Sequence, residues 1–264
     1  MSQLADAQAC ALRYHLLHEL GLDERPQPPA DRPAVTTEPD DATAPIVSQQ
    51  TRLSASEQGT LAHRLLERLP LASSADEIAG ALPELLRQEG ADPAQHGELL
   101  ASLEDLVRSP LGERLRSAER REGDLRRELP FALKLGPELV VHGQVDALLL
   151  EAGMATVIDY KHTEQRPVAR YAAQLSAYAL AAHQLLRGRA VQSGLVFLKS
   201  RGAFVAGPRI SDANRAEAEG ALRRAAHAIV TGIHSGEWPK AEPATCQSID
   251  CGFYKRCHPP PAPG

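Results

Sequence analysis

Along this chain the spacing of apolar positions changes from a helical to an extended pattern. Between residue 59 and about 121, apolar side chains recur every three or four positions, as in helices with one buried stripe. Gly59 to Leu69 sets Leu61, Leu65, Leu66 and Leu69 on one side and stops at Pro70, whose ring cannot continue a helix. Ser74 caps a second helix through Leu86, Pro93 opens a third reaching about Val107, and Leu111 to Arg121 adds a charged fourth. Then the pattern shortens into runs rich in Val and Leu. Leu125 to Leu135 reads as a first strand; Leu139 to Leu150, turned by Glu151-Ala-Gly-Met, pairs with Ala155 to Lys161 as a hairpin. Val168 to Leu186, rich in Ala and Leu and free of breakers, is the plainest helix. Val191 to Lys199 predicts a fourth strand, Ala203 to Ala206 a short fifth, and Asp212 to Ile233 a long helix. At the front, Ala5 to Leu22 forms a helix whose apolar side is Leu12, Tyr14, Leu16 and Leu20. The order predicts an α/β protein with an N-terminal helical block.

Asp23 to Val47, dense in Pro, Asp, Glu and Thr, has little to bury and reads as a linker. The chain thus divides into an N-terminal helix (1–22), a flexible linker (23–58), a core (59–240) and a cysteine-bearing tail (241–264). With no GxxxxGK[ST] pattern anywhere, no motor is expected within it. No apolar run approaches the ~20 residues of a membrane span, and MSQLADAQAC lacks a basic-then-apolar leader pattern, so a cytoplasmic location is the default. The net charge of -5 does not advertise nucleic-acid binding, although acidic ligands and remote acidic helices can outweigh a local basic lining.

Chemistry concentrates in the hairpin. Alternation in a strand points Asp159 and Lys161 one way and Tyr160 the other. If the hairpin sets Asp146 beside Asp159, two carboxylates and an ammonium converge, and hard oxygen ligands of that kind suit Mg²⁺ or Mn²⁺. Standing alone, an Asp-x-Lys would read as a solvated surface pair, and His63 on its leucine-rich helix as a boundary residue. The four cysteines lie at the extremes, Cys10 at the front and Cys246, Cys251 and Cys257 at the back. In a cytosolic protein clustered cysteines are more often metal ligands than disulfides, and four thiolates match one iron-sulfur cluster or one Zn²⁺.

Gly59-Thr-x-x-His63, Gly143-x-x-Asp146, Asp159-Tyr-Lys161 and Gln174-x-x-x-Tyr178, in that order and with the cysteines, resemble the PD-(D/E)XK nuclease superfamily, in particular the RecB/AddAB-type nuclease domain of helicase-nucleases. The resemblance implies a restriction-endonuclease-like core, a mixed central β-sheet flanked by helices, that hydrolyses phosphodiesters with Mg²⁺ or Mn²⁺. It makes His63, Asp146, Asp159 and the main-chain carbonyl of Tyr160 metal ligands, and has Lys161 orient or help deprotonate the attacking water or stabilise the transition state. Gln174 would bond near the lysine or DNA, and Tyr178 would help place the DNA strand. Glu67 would orient His63 or pair with Arg64 or Arg68, and Glu128 would reach the metal site or be a strand-edge residue. Lys161, Arg166, Arg170, Lys199 and Arg201, with Tyr171, would lie along DNA, whereas the mixed stretch Arg120 to Arg127 reads as solvated surface. Cys10, Cys246, Cys251 and Cys257 would hold a 4Fe-4S cluster stapling the two ends, although x4 stands between Cys246 and Cys251 where relatives have x2. Zn²⁺, on four thiolates or on three plus His258, is the rival. The implied role is an exonuclease on single-stranded DNA working with a helicase motor in recombination and double-strand-break repair. The alternative is a non-catalytic, iron-sulfur-stabilised DNA-binding scaffold in a helicase complex.

Overall fold

The computed structural model of the chain describes residues 2–24, 53–137, 139–249 and 251–259. Most of the expected linker, 25–52, lies outside the described residues, but both its ends are built into structure. At the far end, α3 (Ala55–Arg68) starts ahead of Gly59 because Ser54 accepts from the Glu57 NH while the Glu57 carboxylate accepts from the Ser54 NH. The same reciprocal cap at Ser74 and Glu77 opens α4 (Ala75–Gln88). The expected third helix divides into a 3-10 turn at Pro93–Gln95 and α5 (Gly97–Arg108); α6 (Pro110–Glu119) follows at once. Gly112 lies so close to the carbonyls of Leu106 and Val107 that any side chain there would overlap them.

The sheet runs β1 (Leu125–Lys134), β2 (Val140–Glu151), β3 (Met154–Lys161), β4 (Val191–Phe197) and β5 (Ala203–Ile210), in that spatial order. Neighbours are antiparallel except β3 and β4. Parallel strands need a long crossover, here a 3-10 turn at Val168–Tyr171 continuing into α7 (Ala172–Leu185). β5 outruns the expected four residues: Gly207 and Pro208 look like a stop, yet a register shift between Gln192 and Gly194 lets pairing resume to Ile210.

Helices α3 to α6 cover one face, packing Leu61, Leu65, Leu82 and Leu103 against Ile158, Tyr160 and Val196. On the other face α1 (Ser2–Ala9), α7 and α8 (Arg215–Ser235) pack Leu4, Ala177, Leu180 and Leu222 against Leu148, Ala155 and Val157. Each such leucine contributes roughly 2 kcal/mol when fully buried. With both faces covered, the central strands read as continuous apolar runs. Helix α7, enclosed by the sheet, α1 and α8, has almost no polar face.

The expected N-terminal helix is broken at Cys10, whose extended backbone (φ -165°) caps α2 (Ala11–Tyr14); the chain then widens into a π-helical turn at His15–Glu19. The break has a cause: the Cys10 sulfur accepts from the NH groups of Arg13 (3.4 Å) and Ala241 (3.3 Å). Trp238 stacks on His15 with ring centres 4.8 Å apart. Together with α9 (Pro243–Ser248) and α10 (Tyr254–Cys257) these residues make a small lobe around Leu16, Ile249 and Phe253. Among the described residues no helix is long and apolar enough to cross a membrane.

Candidate active site

The β2–β3 ladder ends at the pair Ala147 and Ile158, so Asp146 and Asp159 stand opposite each other where the strands part. The Asp146 carboxylate replaces the missing ladder partner by accepting the Tyr160 NH at 2.7 Å. Helix α3 lays His63 over this opening, Nε2 3.1 Å from the Tyr160 carbonyl oxygen and Nδ1 3.5 Å from Asp146 Oδ2. The end of that helix is secured by Arg127 of β1, which donates to the carbonyls of Glu67 (2.7 Å) and Leu69 (2.9 Å) and pairs with Glu119 (3.0 Å). Arg127 is therefore a helix clamp and not solvated surface; a bond across 60 residues leaves no local pattern to read.

From β1, Glu128 faces Asp146, between the pairs Arg127 with Ala147 and Leu129 with Val145. Its φ of +48° is a strained conformation for a residue with a side chain. Gln144 donates to its carboxylate at 2.5 Å. His63, Glu128 and Asp146 each offer a ligand atom, all within 4.8 Å of one another. Glu128 thus reaches toward the opening from the edge strand of the sheet.

Asp159 stands beside this close group and outside it. Both of its oxygens are engaged: Lys161 Nζ lies 2.6 Å from Oδ2, and Gln174 Nε2 donates to Oδ1 at 3.1 Å. Gln174 also donates to the Tyr178 hydroxyl at 2.8 Å. The helical spacing thus brings Gln174 and Tyr178 together, Gln174 bonding the carboxylate that pairs with Lys161, and both residues are buried. The Lys161 ammonium lies 5.5 Å from the centre of the Tyr171 ring.

Burial pushes the Asp146 carboxyl up to about 8, the neighbouring Asp159 charge adding to the rise while the Tyr160 NH and Lys161 oppose it. Burial likewise lowers His63 against the pull of Asp159, favouring a neutral imidazole with a lone pair to give. Burial would also lower Lys161, but the Asp159 carboxylate outweighs it and the ammonium persists. Three carboxylates therefore share one ammonium, a surplus of negative charge that suits a divalent cation held by Asp146, Glu128, His63 and the Tyr160 carbonyl.

The four thiols gather in the second lobe. Cys246, Cys251 and Cys257 share its apolar cluster, and Cys10 is close enough to raise both Cys246 and Cys257 electrostatically, after burial, the larger cause. Burial pushes the Cys251 thiol up to about 11. His258 Nε2 lies 3.8 Å from the Cys246 sulfur. Among the described residues no three of these ligand atoms come within the 4.8 Å that defines the His63 group. Four thiols with a neighbouring imidazole make a donor set whose chemistry fits a sulfur-ligated centre. Two residues belong here against expectation. Glu24, assigned to the linker, accepts from Arg13 and the Gly252 NH, and Arg170, assigned to a DNA groove, donates to the Ile249 carbonyl at 2.6 Å.

Over 170 residues, 54% of its length, the chain is 34% identical to an ATP-dependent helicase/nuclease subunit from Desulfitobacterium hafniense (strain DSM 10664 / DCB-2). It is 30% identical over 192 residues, 61% of its length, to the protein of the same name from Heliobacterium modesticaldum (strain ATCC 51547 / Ice1). The matches span only 12% and 13% of those relatives. A solved structure from Eubacterium rectale, named as a candidate exonuclease, superposes with a TM-score of 0.40 and 13% identity over 68% of this chain and 71% of that one. The family description "PD-(D/E)XK nuclease superfamily" matches residues 1–258, and the chain belongs to that superfamily.

Proposed function

We propose that this domain is a Mg²⁺- or Mn²⁺-dependent deoxyribonuclease, an exonuclease on single-stranded DNA supplied by a helicase motor during recombination and double-strand-break repair. One observation carries the reading: His63, Asp146, Glu128 and the Tyr160 carbonyl converge beside the Asp159–Lys161 pair, in a member of a nuclease superfamily. A divalent cation there would neutralise phosphoryl oxygens and make a bound water acidic. Asp146, Glu128 and neutral His63 would hold it, with Asp159 as a further ligand. Lys161, kept charged by Asp159, would orient the attacking water and stabilise charge developing on the phosphate. Gln174, itself bonded to Tyr178, would be a positioning residue that holds Asp159. Lys199, Arg166 and Arg201 would neutralise phosphates along the approach. The paired helicase and nuclease words in the relatives' name support the motor partner. Cys10, Cys246, Cys251 and Cys257, brought into one lobe, would hold a 4Fe-4S cluster, with Zn²⁺ as the alternative.

The test is degradation of end-labelled linear and of circular single-stranded DNA with Mg²⁺ or Mn²⁺, comparing wild type with Asp159→Ala. Linear-only digestion by the wild type, lost in the variant, is expected. Equal digestion by both proteins would remove the catalytic assignment, and cutting of circles would replace exonuclease by endonuclease. For the thiols, brown protein carrying iron and sulfide is expected, and colourless protein with stoichiometric zinc would overturn the cluster.

A further inference from the structure

The crossover that carries Gln174 is tied at its first turn to the cysteine lobe. Arg170 sends one guanidinium nitrogen to the Ile249 carbonyl (2.6 Å) and the other to Glu24 Oε2 (3.3 Å). The Glu24 carboxylate also accepts from the Gly252 NH at 2.9 Å and from Arg13 at 3.0 and 2.6 Å. Arg170 and Glu24 therefore grip the chain on both sides of Cys251. The next residue after Arg170 is Tyr171, whose ring lies against the Lys161 ammonium, and one turn further on Gln174 holds Asp159. The Arg170 guanidinium thus stands between the loop of a proposed cluster ligand and the two residues that meet Lys161 and Asp159.

We propose that Arg170, gripped by Glu24, is a positioning residue that ties the Cys251 loop to the first turn of the crossover, so that the integrity of the cysteine lobe sets the geometry of the nuclease site. The inference rests on the nuclease reading for its kinetic readout only. An Arg170 that merely met DNA phosphate would act on binding, whereas a strut acts on alignment, and misplacing reacting groups by ~1 Å costs up to ~100-fold in rate.

The test uses the full chain as Arg170→Met, which keeps the aliphatic stem. Hydrogen exchange across 168–178 should accelerate, kcat on single-stranded DNA should fall about tenfold, and KM should stay within about twofold. Cys251→Ser should accelerate exchange over the same residues, and the double variant should add little to either single one. Unchanged exchange in Arg170→Met overturns the strut; so does a raised KM with kcat intact and a shallower salt dependence, which would make Arg170 a phosphate contact. Arg170→Lys, which keeps the charge but loses the fork, should give intermediate exchange and carries the same readouts if Arg170→Met does not melt cooperatively. A wild type inactive on every DNA tested would sink the nuclease reading alone, since exchange still decides the strut.

Discussion

In the cysteine lobe, buried cations and anions are matched: Arg13 meets Asp6 and Glu24, and Arg170 meets Glu24. At the parting of β2 and β3, Asp146, Asp159 and Glu128 share the ammonium of Lys161 and a histidine whose charged form is disfavoured. The consequence shows in the carboxyls. Burial would raise Glu24, yet Arg13, the Gly252 NH and Arg170 hold it below the usual range, whereas Asp146 is driven up to about 8. The first arrangement is neutralised by its own cations among the described residues; the second holds acidic groups that take up a proton or would take up a further cation. A buried charge that lacks a partner in an otherwise well-packed protein thus points to a ligand, while a buried charge that has one points to architecture.

Asp146→Asn would break this contrast most severely. It should lower metal-dependent DNA cleavage by roughly three orders of magnitude, yet in chelator at pH 8.5 its melting temperature should exceed that of the wild type, because it removes an uncompensated buried charge. A lower melting temperature would refute the surplus-charge reading. Lys161→Met should cost activity about 10²- to 10⁴-fold but move stability the other way, by about 3 kcal/mol, since Asp159 is left buried without its cation. Denaturant titration of the two variants side by side checks the opposite signs.

The pH dependence follows from the same carboxyl. The Asp146 pKa rises from 3.8 to about 8 on folding, so its neutral form is the one the fold favours. Its contribution to stability is complete below pH 3.8 and is lost as pH climbs through about 8. In chelator, the difference in melting temperature between wild type and Asp146→Asn should therefore open as pH rises from 6 to 9. Saturating Mn²⁺ should close it for the wild type, and the Mn²⁺ affinity of the wild type should weaken as pH falls below about 8. A flat difference would dispose of the shift. The smallest expected effect is at Glu128, where Glu128→Gly relieves a positive φ and should stabilise the metal-free protein by about 1 kcal/mol while weakening Mn²⁺ binding. Calorimetric titration and thermal melts read the two together.

The architecture was largely legible because period and punctuation are local. The hairpin, the crossover helix and the serine cap of α4 follow from runs of Val and Leu, an unbroken Ala-rich stretch, and Ser followed three residues later by Glu. The candidate site was partly legible: Asp146, Asp159, Lys161, His63, Gln174 and Tyr178 stand within or beside one site because a hairpin register and a helical repeat dictate that much.

What the sequence by itself determined is the order of elements and the residues available to the site, since alternation, capping and breakers act over a few positions. Only the tertiary structure decided that Glu128 enters the close ligand group while Asp159 is taken up by Lys161 and Gln174. It also decided that Arg127 clamps the end of α3 and that Glu24 and Arg170 close around the Cys251 loop. Each depends on where separate elements come to rest against one another, and a hydrogen bond between residues 60 or 146 positions apart has no counterpart in local pattern.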